Sequence, residues 1–128
     1  MGCEPVVNEL WGVNLALLID KGYKPHWGDF LQVTPEMLGG KFDGICGNPP
    51  WGNLTDIDHF LHALTFLKPG GQLSFLMSRS CIDNFTNKTD SFRKVLNIHN
   101  AKISLIEPRQ FEGTNVGGYH IFIDNYAA

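Results

Sequence analysis

Phe42-Asp43-Gly44-Ile45-Cys46-Gly47-Asn48-Pro49-Pro50-Trp51-Gly52 is the stretch on which the reading of this chain turns. Phe42–Cys46 is a strand-like run, and Asn48-Pro49-Pro50-Trp51 follows at its carboxyl end, ahead of Gly52 and a helix. Two consecutive prolines fix φ at about −65° and remove two backbone donors, so the loop is stiff and offers only carbonyls. The side-chain oxygen of Asn48 and the carbonyl of Pro49 can both accept from one NH2 group. Trp51 adds a large π-face on which a planar group can stack. A bare Pro-Pro beside a Trp would read as a stiff turn over a core residue. An Asn before it, an aromatic after it and a strand leading in point instead to a clamp for a flat, weakly nucleophilic nitrogen.

The rest of the chain bounds what surrounds that clamp. Its 128 residues suit one domain with a single core, expected over 1–128. No run approaches the roughly 20 apolar residues of a membrane span, and the N-terminus does not read as a signal peptide. Cys3, Cys46 and Cys81 are scattered without C-x-x-C spacing, which suits reduced thiols and a cytoplasmic setting. The net charge of −3 argues against nucleic-acid binding by bulk electrostatics alone. The charge is uneven: residues 1–78 hold four Lys/Arg against eight Asp/Glu, residues 79–128 six against five. Arg79, Lys88, Arg93, Lys94, Lys102 and Arg109 make up that basic set.

Helices and strands alternate along the sequence. Val6, Leu10, Val13 and Leu17 fall at helical spacing over residues 5–20, and Lys21-Gly22 is a stop. Tyr23–Phe30 reads as extended, ending in Gly28-Asp29-Phe30, and residues 34–40 as a helical turn closed by Gly39-Gly40. Thr55 can cap a helix whose buried stripe is Ile57, Phe60, Leu61, Leu64 and Leu67. Lys68-Pro69-Gly70-Gly71 reads as a turn, and Gln72–Met77 as an apolar strand of the kind found inside parallel sheets. A helix over 89–97 and strands over Ala101–Ile106 and Tyr119–Tyr126 complete the order. The expectation is an α/β sheet, mostly parallel with an antiparallel last strand, with its site at the carboxyl ends of the strands.

In this order the chain resembles the Rossmann-like class I S-adenosylmethionine-dependent methyltransferases, in the amino-methylating branch typified by DNA adenine-N6 methylases. Asn48-Pro49-Pro50-Trp51 is similar to the family's catalytic element. The resemblance implies catalytic roles for all four residues and a place for Asn48 beside the cofactor. Gly2-Cys3-Glu4-Pro5 looks like the element whose acidic residue holds the cofactor ribose, which would make Glu4 that residue. Gly28-Asp29-Phe30 looks like the adenine-contacting element, with Asp29 accepting from the adenine amino group and Phe30 packing on the ring. Phe111-Glu112-Gly113-Thr114 resembles a late Phe-x-Gly hairpin, in which Phe111 would stack on an extruded base. The implied cofactor is S-adenosyl-L-methionine and the implied partner DNA.

The departure is at the start. The family opens with a strand and a Gly-rich F-x-G-x-G loop beside the methionine end of the cofactor, and nothing before Glu4 supplies it. The domain is therefore expected to be partial, with a homodimer or a partner chain supplying the missing strand. Two acceptors on one amine favour a more tetrahedral nitrogen whose lone pair can face a methyl donor, which is catalysis by positioning. The same clamp suits a glutamine side-chain amide, as in methylation of a translation release factor, and a non-catalytic methyltransferase-like module is the further alternative. His59 and His62 stand three apart on a helix without further ligands and read as surface histidines. Ser78-Arg79-Ser80 follows a strand but lacks a hydrolase elbow.

Overall fold

The computed structural model describes residue 6 and residues 8–9, 16–17, 19–22, 24–108 and 117–127. The chain divides into two units, Met1–Lys41 and Phe42–Ala128.

In the first unit, Asn8–Glu9 (β1) pairs in parallel with His26–Trp27 (β2), Asn8 opposite His26 and Glu9 opposite Trp27. Ala16, Leu17, Ile19 and Asp20 are helical, and the chain turns at Lys21-Gly22. The periodicity of residues 5–20 predicts helix across Asn8 and Glu9 as well. Ladder pairing claims those two residues instead, a case of tertiary pairing outweighing a weak propensity. Val6 and Leu17 then share no helical stripe, and both are exposed. A 3-10 turn at Phe30–Gln32 precedes a second at Pro35–Leu38. Thr34 caps the second through a bond from Met37 N, and Gly39 ends it in the left-handed region at φ 93°.

The second unit is built on a four-stranded sheet of Phe42–Gly47 (β3), Leu67–Ser78 (β4), Lys102–Ile106 (β5) and Gly118–Ile123 (β6), in the order β3-β4-β6-β5. β3 and β4 are parallel, and β6 runs antiparallel to both β4 and β5. Three strands thus share a direction and the last one opposes them, as the sequence order implies. Thr55–Leu64 (α1) links β3 to β4, while Ser80–Asp83 (α2) and Asn87–Ile98 (α3) link β4 to β5.

The core gathers where α1, α3 and β4 meet. Ile57 and Phe60 of α1, Phe92 of α3, Leu73 and Met77 of β4, and Ile121 and Ile123 of β6 are fully buried. Phe60 is central: its ring meets Phe75 edge-on at 5.5 Å and Phe92 edge-on at 5.0 Å, the geometry that aromatic quadrupoles favour. Helix α3 begins at a capping box in which the Thr86 hydroxyl accepts from Thr89 N at 3.1 Å. Thr55, expected to cap α1, is instead its first residue. Leu54 stands at the cap in the left-handed region and no side chain bonds there.

Lys68-Pro69-Gly70-Gly71 is the other correction. It belongs to β4 as an irregularity between two ladder pairs, Phe42 with Leu67 and Gly44 with Gln72. Gly70 adopts φ 83°. Gly70 N donates to Tyr126 O at 2.7 Å and Tyr126 N to Gly71 O at 2.9 Å, so turn-type residues are held as a bulge rather than released as a loop. At Gly71 a Cβ would stand 2.9 Å from Asp43 O and 2.7 Å from Leu67 Cδ1. Gly71→Ala is expected to destabilise the protein by about 1–3 kcal/mol in urea unfolding. An unchanged midpoint would show that β3 and β4 do not close on each other here.

Candidate functional site

β3 delivers the loop and β4 supports it. Beyond Gly47 the chain runs through Asn48, exposed, then Pro49, buried, then Pro50, exposed, to a half-buried Trp51. The Trp51 indole Nε1 donates to Leu76 O at 3.3 Å, one residue past the last β3–β4 pair, Gly47 with Phe75. Gly118 seats the ring: a Cβ there would lie 2.8 Å from Trp51 Cη2 and 2.5 Å from Met77 O. The indole therefore rests on the seam of β4 and β6. Gly52, Asn53 and Leu54 then follow at φ 116°, 52° and 58°. Two successive non-glycine residues in the left-handed region store strain, of the kind that persists only where both ends of a segment are pinned.

The second pin is Asp56, fully buried on the first turn of α1. Its Oδ2 accepts from Ser78 N at 2.9 Å and Ser78 Oγ at 2.7 Å, tying the end of β4 to the helix that leaves the loop. Among the described residues its Oδ1 has no partner. Cys81 Sγ donates to Ser78 O at 3.0 Å. Burial, reinforced by the nearby Asp56, pushes the Cys81 thiol up to about 12.

Between these elements lies a cleft of about 450 Å³, lined by residues 51–54 on one side and by Ser78, Arg79, Ser80 and Asn84 on the other. Arg79 Nε donates to Asp83 Oδ2 at 3.0 Å, and the Tyr119 hydroxyl donates to Asp83 Oδ1 at 2.6 Å. The Tyr119 bond and then Arg79 hold the Asp83 carboxyl below its ordinary range, while Asp83 raises both Arg79 and Tyr119. Asp56, Asp83 and Tyr119 were not singled out by sequence reasoning. The available signal for Asp56 is a carboxylate in the first turn of the helix, directly after the loop and beside Ile57 of its apolar stripe, although Asp58 shares that turn.

In the first unit, Asp29 is exposed and Oδ1 accepts from Leu31 N at 3.0 Å, capping the first 3-10 turn, and Phe30 is half-buried. One bond leaves a carboxylate most of its acceptor capacity, so Asp29 still suits an amino donor, with Phe30 beside it as a ring surface. Glu4 and Phe111 lie outside the described residues. His59 Nδ1 lies 3.0 Å from Thr55 O, and His62 meets Phe66 edge-on. Among the described residues no three His, Cys, Asp or Glu side chains could hold a metal, and no helix is long and apolar enough to cross a membrane.

No family model matches the sequence, and no curated protein matches it. Solved structures do match. The type I restriction-modification methyltransferase subunit from Streptococcus thermophilus superposes with a TM-score of 0.77 over 98% of this chain, at 19% identity. The M protein of the type I restriction enzyme EcoKI gives 0.72 over 96%, at 18% identity. A class I S-adenosylmethionine-dependent methyltransferase from Listeria monocytogenes, described as putative, gives 0.65 over 94%, at 15% identity. The fold is that of a class I methyltransferase. The chain spans 35%, 31% and 44% of those three proteins, so it corresponds to part of each. In a class I methyltransferase fold, as in open α/β sheets generally, sites lie at the carboxyl ends of strands. Here those ends include Asn48–Trp51 after β3 and Ser78–Ser80 at the end of β4.

The Cys81 thiol gives a pH signature of the packing behind this edge. Below pH 9, the ordinary thiol value, folded and unfolded chains both keep the proton. Between pH 9 and about 12 the unfolded chain loses it first, so the Cys81 contribution to stability falls by up to about 1.4 kcal/mol per pH unit. Cys81→Ala is expected to have a shallower alkaline limb than the native chain when urea stability is compared from pH 8 to 11. Parallel limbs would place Cys81 in contact with water.

Proposed function

We propose that this chain carries the amine-holding part of an S-adenosylmethionine-dependent N-methyltransferase whose target is the N6 amine of adenine in DNA. The observation that carries the reading is the Asn48-Pro49-Pro50-Trp51 loop at the carboxyl end of β3, with Asn48 exposed while Trp51 is fixed against β4. The amide oxygen of Asn48 and the carbonyl of Pro49 accept the two hydrogens of the target amine. The lone pair is thereby drawn out of conjugation and aimed away from the loop. Trp51 has committed its one N–H to Leu76 and meets the base through its π-face. A base in a duplex reaches such a loop only when turned out of the stack.

Asp29 and Phe30 would hold the adenine end of the cofactor, with Glu4 on its ribose and Phe111 on the turned-out base. S-adenosylmethionine, when bound, supplies an electrophilic methyl group on a sulfonium. The likeness to methyltransferase subunits of restriction-modification systems favours DNA over a protein glutamine, and the share of those subunits covered favours partner segments that complete the site.

In the complete enzyme, Asn48→Ala is expected to lower methyl transfer to DNA by about 10²–10³-fold while leaving the melting temperature unchanged, because Asn48 is exposed. Transfer of labelled methyl groups, followed by nucleoside analysis for N6-methyladenine, measures it. Retained activity would remove the loop from the mechanism, and label on glutamine instead of adenine would replace the substrate.

A further inference from the structure

Arg79 stands on the cleft beside Trp51, and its surroundings differ from those of Lys88 and Arg93, which follow it in the chain. Lys88 Nζ donates to Asp58 at 2.9 Å. Arg93 is used up on this chain: Nη1 donates to Ile82 O at 2.5 Å and Asn84 O at 2.8 Å, and Nη2 pairs with Asp90. Arg79 instead makes its ion pair through Nε, the inner nitrogen, to Asp83. The Tyr119 hydroxyl also interacts with this guanidinium, and among the described residues no second carboxylate pairs with it. Asp83 is itself oriented by the Tyr119 hydroxyl at 2.6 Å, which links α2 to β6. A half-exposed arginine, 49% accessible, is thus set at Nε on the wall of a cleft, with the fork of Nη1 and Nη2 at its end. A planar pair of N–H donors matches two oxygens of a phosphate.

We propose that Arg79 is a phosphate-reading residue, which binds through Nη1 and Nη2 the backbone phosphate next to a nucleobase placed at Trp51. The inference rests on the proposed adenine-directed function and deepens it. A nucleotide brings an anion to this position and a glutamine side chain does not, so Arg79 selects nucleic acid over protein where the acceptor-only loop accepts either amine. Asp83 and Tyr119 are positioning residues, since they act on the ligand only through the guanidinium.

The test uses the enzyme complete with its partner segments, the 128 residues of this chain labelled with ¹⁵N, and reads the Trp51 indole N–H resonance during titration with adenosine and with adenosine 5′- and 3′-monophosphates. At least one monophosphate is expected to bind about fivefold or more tightly than adenosine. Arg79→Gln should abolish that preference and leave adenosine affinity unchanged. Arg79→Lys should keep only part of it, because the charge remains and the fork is lost. Equal binding of adenosine and both monophosphates by the native chain would overturn the role of Arg79 and leave the Trp51 site standing. A preference that survives in Arg79→Gln would overturn it as well. No shift with any of the three ligands would overturn both the phosphate contact and the adenine-directed reading beneath it.

Discussion

One oxygen, Asp56 Oδ2, takes both polar hydrogens of Ser78, and through that pair the end of β4 and the start of α1 become a single piece. The carboxyl group is wholly buried, so each of its bonds forms away from competing water. Losing either partner would strand polar atoms at a cost of about 1–3 kcal/mol each. The consequence reaches the loop because Asp56 follows Trp51 by only five residues. Pro49 is buried at the near end of that span and Asp56 at the far end. The left-handed Asn53 and Leu54 between them are held at angles that a free loop would relax.

Trp51 depends on the same joint. Its N–H reaches Leu76 O and its ring lies over Gly118, and both contacts require β4 and β6 to meet at their observed register, Ser78 opposite Gly118. The support therefore comes from two strands the loop does not belong to. β3 contributes the chain direction, and β4 with β6 contributes the floor.

The sheet was legible because its strands carry strong local signals. Phe42–Cys46 is a strand-like run and Gln72–Met77 an apolar one, each with clear breaks. The Asn-Pro-Pro-Trp loop was legible for the same reason, since two prolines determine a backbone without help from distant residues. What did not read through depends on partners remote in sequence. Lys68-Pro69-Gly70-Gly71 carries turn chemistry, yet Tyr126 claims two of its backbone groups and makes it a bulge. Asn8 and Glu9 fit a helical period, yet His26 and Trp27 pair with them. Asp56, Asp83 and Tyr119 look like ordinary surface polar residues until the fold places Asp56 under Ser78 and Tyr119 against Asp83, 36 positions apart.

Specificity at such a site has two separable sources. The loop offers acceptors and one aromatic face, and that set describes the amine and not the molecule bearing it. Adenine N6 and a glutamine amide present the same NH2 to Asn48 and Pro49. Any discrimination must come from groups outside the loop that see the rest of the substrate, and on the proposed reading the other wall of the cleft would supply them. Ser78 is spent on Asp56, and Cys81, behind it, is buried and protonated. Arg79 is the charged group of that wall, and its ion pair leaves the outer edge of the guanidinium facing no carboxylate among the described residues. A carboxylate on Nε fixes the guanidinium plane and cannot neutralise its outer edge as a bidentate partner would. In the proposed function, the choice of amine would thus lie in a stiff loop on β3, and the choice of substrate in an arginine after β4 that is held from behind.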